Sequence, residues 1–173
     1  MKRQPLAPPA GPCNTARIPQ RGHHIMGLEI APVTLEGEHV RLEPLSQEHA
    51  QGLFNRGTEQ EDWLYMPRAC FSDLADCRHW IDETNQAPDQ LAFAIVETGR
   101  DRAVGSSRYL NVRPEHLGLE IGWTWLGRDW QRTPVNTEAK LLLVSHAIET
   151  LGAIRVEFKT DARNERSQNA LRR

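Results

Sequence analysis

The chain is predicted to be a single α/β (α+β) domain, and three observations carry that prediction. Alternating and helix-periodic segments follow one another in the order β-α-α-β-β-β-α-β-α, without internal repeats. Two β-rich runs, 91–97 and 103–112, are joined through Gly99-Arg100-Asp101 and read as a hairpin. The stretch Leu119-Glu120-Ile121-Gly122-Trp123-Thr124-Trp125-Leu126 then passes through a donor-rich loop into a strongly apolar helix.

Taken in order, residues 1–27 form a Pro-rich extension with Pro5, Pro8, Pro9, Pro12 and Pro19 and few large apolar side chains. Such a segment buries too little surface to offset its ordering entropy and is expected to be disordered. Met26 stands just before the first patterned residues and reads as the native start, leaving 28–173 as the domain. Val40 and Leu42 alternate as a strand ending at Pro44. Ser46 is placed to cap a helix running to about Arg56, with Glu48 near its positive end. Ser72 is read as the cap of a second helix, whose Leu74, Cys77, Ile81 and Thr84 share one side. After the hairpin come a strand over 117–126 and a helix over 137–151, the latter stopped by Gly152 in a left-handed conformation. A strand over 153–161 and a last helix from Asn164 complete the pattern.

Bulk properties exclude several classes. A length of 173 residues supports one real core. A net charge of −2 argues against a general nucleic-acid binder. No run approaches the roughly 18 apolar residues of a membrane span, so no membrane association is expected. Cys13, Cys70 and Cys77 are odd in number and lack paired ligand spacing, which disfavours a disulfide framework or zinc site and suits the cytoplasm. His23-His24 has no partner ligands nearby, so no metal is expected.

The strand–loop–helix junction carries the chemistry. A helix N-terminus exposes unpaired N–H groups and a partial positive charge, which suits phosphate or pyrophosphate. Pro134 fits the first helical turn, where its missing N–H has no partner to lose. Together with Gly152-Ala153-Ile154-Arg155-Val156-Glu157-Phe158-Lys159-Thr160-Asp161 and Asn164-Glu165-Arg166-Ser167, this junction resembles the GNAT acetyltransferases, and within them the RimJ/RimL-type branch that acetylates protein N-termini and other amines. The resemblance runs from about Val33 to Arg173 and is densest between Leu119 and Ser167.

The resemblance implies one mixed, mostly antiparallel twisted sheet flanked by helices, acetyl-CoA as cosubstrate, and direct attack by an amine acceptor. It places the pyrophosphate on residues 131–137: Gln131 fills the first place of the family's Gln/Arg-x-x-Gly-x-Gly/Ala pattern, while Pro134 and Asn136 replace its two small residues. Arg132, Thr133, Val135, Asn136 and Thr137 complete that loop, with Trp125 and Leu126 beside the pantetheine arm. Asn164 is implied to bond that arm, and Ser167 to give the proton to the departing thiolate. Glu120 is the candidate general base, because its neighbours Leu119 and Ile121 point to the other face.

Plainer readings stand beside these roles. Gln131 to Thr137 also reads as an ordinary helix start with Arg132 solvated, Asn164 as a simple cap with Ser167 exposed, and Glu120 as a surface carboxylate. Trp123, Trp125 and Trp130 individually read as core, and His146 as a satisfied structural histidine. The family adds two strands after the last helix. Their absence here predicts a C-terminally incomplete domain with an exposed edge strand, which a homodimer would cover. A non-catalytic CoA-binding or protein-interaction module is therefore the alternative function, with a small-molecule acetyltransferase third. The acceptor itself is not legible in the variable region around 59–71.

Overall fold

Residues 28–172 are described by a computed structural model. The Pro-rich extension, Cys13, His23, His24 and the Met26 start therefore lie outside the described residues, as does Arg173. Among the described residues six strands form one sheet in sequential order: β1 (Leu35–Glu36), β2 (Val40–Pro44), β3 (Leu91–Glu97), β4 (Arg102–Arg113), β5 (Gly118–Leu126) and β6 (Arg155–Glu157). Neighbours from β1 to β5 pair antiparallel, whereas β5 and β6 pair in parallel. Helices α1 (Ala50–Phe54) and α2 (Leu74–Gln86) cover one face of the sheet, and α3 (Pro134–Ser145) covers the other. A short α4 (Glu165–Leu171) ends the described chain.

Strand alternation divides the core in two. Val40, Leu42, Phe93, Ile95, Tyr109, Leu119 and Ile121 face α3, where Val135, Ala139 and Leu143 meet them. Ala92, Ala94 and Val96 face the opposite way, and their small side chains leave room for Trp63, Phe71, Trp80 and Trp125. Trp125 lies 5.0 Å from the Trp63 ring centroid and 5.8 Å from that of Phe71, so its side chain is core, as the sequence suggests.

The hairpin turn and the Gly152 stop, at φ 71°, follow the sequence reading, whereas the helix expected over 137–151 starts at Pro134 and passes after Ser145 into a π-helical turn, His146–Thr150. The short strand β1 is not in the expected order, and three further details differ. The cap of α2 is Asp73 rather than Ser72, because the Asp73 carboxylate accepts from Asp76 N at 2.8 Å. The first helix begins as a 3-10 turn, Gln47–His49, before α1, and the Ser46 N–H donates to the His49 ring at 3.1 Å. The last strand covers only 155–157 instead of 153–161, because it leaves β5 after Glu157. Among the described residues β6 is one edge of the sheet and β1 the other, with Ile154 beside β6 80% exposed.

Glu138 ties α3 to the sheet. Its carboxylate accepts the backbone N–H groups of Glu38, His39 and Val40 at 2.8, 2.7 and 2.8 Å. Burial alone would raise its pKa, but the three donors together outweigh burial and hold it below the ordinary glutamate value. Glu138→Ala is expected to cost about 2 kcal/mol, since three donors lose a charged acceptor. The depressed folded pKa means this contribution is present at neutral pH and lost as pH falls through it. Denaturant melts at neutral and acid pH test this: the wild type and variant should converge in acid, and a constant gap would refute it.

Candidate functional site

The parallel pairing of β5 and β6 stops at Glu120 and Glu157, and past this point the two strands diverge into a wedge. In the same region β5 is bulged. Arg108 pairs with Gly122 and Ser106 with Trp125, so Trp123 and Thr124 together oppose Ser107 alone. Trp123 takes φ 51°, a strained conformation for a bulky residue, and its ring lies over the Arg108 guanidinium at 4.5 Å. The bulge thus turns backbone groups of β5 out of the ladder at the mouth of the wedge. A cleft of about 680 Å³ fills this wedge and reaches from the bulge to the start of α3 and to α4.

The cleft brings together Trp125, Leu126, Gln131, Arg132, Thr133, Asn136, Asn164 and Ser167 from the sequence-derived set. Trp125 and Leu126 bury their side chains in the cores, so what they offer the cleft is backbone. Thr133 caps α3: its hydroxyl donates to Trp130 O at 2.7 Å and accepts from Val135 N at 3.4 Å. The next N–H group, of Asn136, stands in the first turn with no helical carbonyl preceding it, whereas that of Thr137 is the first to reach back to the N-cap carbonyl of Thr133. Arg132 is exposed at φ 60° and pairs with no carboxylate among the described residues. Asn164 caps α4 by accepting from Ser167 N at 3.0 Å, the plainer role foreseen for it, while Ser167 itself lines the cleft.

Gln131 departs from a simple phosphate role. Its amide N–H groups donate to Leu126 O and Asp62 Oδ1, both at 2.9 Å, and its oxygen accepts from Arg166 at 2.8 Å. It therefore braces the end of β5 against α4. Val135 points into the core and Thr137 into solvent, and neither side chain lines the cleft.

Glu120 is only 5% exposed, so it is not a surface carboxylate. Its Oε2 accepts from Lys159 at 2.5 Å and from Asn111 at 2.8 Å, beside the cleft rather than lining it. Its other oxygen lies close to the Gly122 backbone, 3.3 Å from where a Cβ would stand. His146 is structural, as foreseen: it stacks on Tyr109, Nδ1 lies 3.2 Å from the Tyr109 hydroxyl, and burial lowers its pKa.

Two cleft residues escaped sequence reasoning. Asp62, 8% exposed, reaches Arg166 at 3.3 Å and Arg128 at 3.5 Å from the segment between α1 and α2. Nothing in the local sequence signals this, because its partners are distant in the chain. Lys140 faces the cleft four residues after Asn136, and its charge among apolar helix residues was the available signal. Burial pulls its pKa from 10.5 to about 7. A second hollow, of about 620 Å³, lies where residues 28–32 pass β3 and the end of α2, away from the bulge. Among the described residues no group of His, Cys, Asp and Glu is arranged to hold a metal ion, and no helix is long and apolar enough to cross a membrane.

The architecture is thus a bulged, mostly antiparallel sheet that opens into a wedge beside a helix N-terminus. The family model of the acetyltransferase (GNAT) domain matches residues 39–173, and the chain belongs to that family of acetyltransferases. A GCN5-related N-acetyltransferase from Brucella melitensis superposes with a TM-score of 0.79 at 26% identity, over 83% of this chain and 66% of its own. The chain thus spans 66% of that protein's length. A structure from T. thermophilus, provisionally named an acetyltransferase, gives 0.76 at 36% identity over 83% and 75% of the two chains. RimL, described as a ribosomal L7/L12 α-N-protein acetyltransferase, shares the fold at 16% identity with a TM-score of 0.68, over 82% and 78%. No curated protein matches the chain.

Proposed function

We propose that this chain is an acetyl-CoA-dependent N-acetyltransferase of the RimJ/RimL type, passing the acetyl group directly to a primary amine such as a protein N-terminus. The observation that carries this reading is the continuity of the cleft from the β5 bulge to the first turn of α3. The donor set fits the cosubstrate: the free first-turn N–H of Asn136 and the unpaired Arg132 suit the pyrophosphate, and the open edge of β5 suits the amides of the pantetheine arm.

The bulge backbone then supplies an N–H to the oxygen of the thioester carbonyl as charge develops there. An α-amino acceptor, with a pKa near 8, is partly neutral at pH 7 and needs only a weak base. Glu120, acting through water, takes its proton, and Lys159 and Asn111 orient the carboxylate. Ser167 returns a proton to the thiolate. Free Cys70 and Cys77 suit a reducing cytoplasm.

Calorimetric titration with acetyl-CoA tests the cleft, and absence of binding by folded protein would overturn it. The double variant Asn136→Ala, Ser167→Ala is expected to lower kcat/KM at least about 100-fold, while the melt stays within about 1 kcal/mol of wild type. Unchanged turnover would remove both residues from the mechanism. Binding without acetylation of any amine would favour a non-catalytic CoA-binding module.

A further inference from the structure

From Ala139 to Val144, α3 reads Ala-Lys-Leu-Leu-Leu-Val, and its one charged residue faces the wedge rather than solvent. Lys140 Nζ donates to Ser107 Oγ at 3.3 Å and to Thr124 Oγ1, and lies 5.6 Å from the Phe158 ring centroid. The two hydroxyls already bond each other at 2.7 Å, so neither depends on the lysine for a partner. No carboxylate among the described residues pairs with Nζ. The other charged groups of the cleft are cationic or engaged: Asp62 with Arg128 and Arg166, Asp161 with Arg163, and Lys159 with Glu120.

An ammonium half-buried on the cleft wall without a counter-ion is disfavoured against the neutral amine, so burial lowers the Lys140 pKa from 10.5 to about 7. A neutral primary amine has two N–H groups and one lone pair. Ser107 and Thr124 accept the two N–H groups, which leaves the lone pair as a nucleophile. Thr124 belongs to the bulge, the point at which the proposed function puts the thioester.

Resting on that reading of the cleft, we infer that Lys140 is a self-acylation site: with acetyl-CoA bound and no external amine present, its Nζ takes the acetyl group. The nitrogen lone pair forms a bond to the thioester carbonyl carbon and the carbon–sulfur bond breaks. The sulfur keeps that electron pair and takes up the proton lost by nitrogen. The products are Nε-acetyl-lysine and the free thiol of CoA, and no further reactant is required.

The chain has only Lys2, Lys140 and Lys159, so the test carries its own controls. The full chain is incubated with acetyl-CoA alone, and each lysine is followed by peptide mass mapping between about pH 6 and about pH 9. Lys140 should acquire acetyl at least about tenfold faster than Lys2 or Lys159, with a rate that levels off above about pH 7, whereas ordinary lysines keep rising. Lys140→Arg should abolish that label. Calorimetry on the same wild-type sample separates the two readings. Binding of acetyl-CoA with Lys140 unmodified, or with all three lysines labelled alike, overturns the self-acylation and leaves the donor site standing. No binding overturns both.

Discussion

Lys140→Met is expected to stabilise the protein at pH 7 by about 2 kcal/mol, an unusual sign for a change inside a cleft. The lysine pKa falls from 10.5 to about 7 on folding because burial penalises the ammonium. Below pH 10.5 the unfolded chain therefore holds more protons at this site than the folded one. Wild-type stability should rise with pH between about 7 and about 10.5, and this site should add no slope below that window. The full shift would correspond to a larger gain, but hydroxyls and water that relax around the charge reduce it. Methionine matches the stem in length, meets the Phe158 ring well, and leaves Ser107 and Thr124 bonded to each other. Denaturant melts across this range should show the variant ahead at pH 7 and level with wild type near the upper limit. A destabilised variant at pH 7 would mean that the amine stabilises the fold.

Gly105→Ala is expected to cost about 3 kcal/mol and to weaken donor binding as well. Gly105 pairs with Leu126 across β4 and β5, and an added Cβ would strike the Trp125 carbonyl oxygen and lie 2.7 Å from Leu126 Cδ2. Trp125 and Leu126 are fixed in opposite cores, so the obstacle is backbone that has nowhere to retreat. Relief requires the end of β5 to move, and Leu126 O is the anchor for the Gln131 side chain. The displacement would therefore pass into the loop that precedes α3. A denaturant midpoint within about 0.5 kcal/mol of wild type would show that the strand yields more easily than its packing implies.

Much of the fold was legible because local rules and tertiary packing agree. Leu119 and Ile121 alternate with Glu120 and are buried against α3, as a half-covered strand requires. Pro134 and Thr133 mark the helix start, and Gly152 its stop, through conformations that only neighbouring residues decide. The α2 cap slipped by one residue because Ser72 and Asp73 are both competent caps, and the contact with Asp76 chooses between them. The end of β6 was misjudged for a different reason. Its apolar pattern continues to Phe158, but a strand ends where its partner departs, and β5 departs after Glu120.

The candidate site divides along the same line. By itself the sequence determined the order of elements, the donor-rich junction at 131–137, the Asn164–Ser167 pair and the family they resemble, because each depends on residues near one another in the chain. Only the tertiary structure decided that Gln131 is a brace, since its partners Asp62 and Arg166 lie 69 and 35 residues away. It also decided that Glu120 is buried and paired with Lys159, 39 residues distant, and that Lys140 lies against two hydroxyls on the cleft wall. Charge and nucleophilicity depend on what surrounds a group in space, and in this chain those surroundings come from segments that meet only when the sheet bulges and its last two strands diverge.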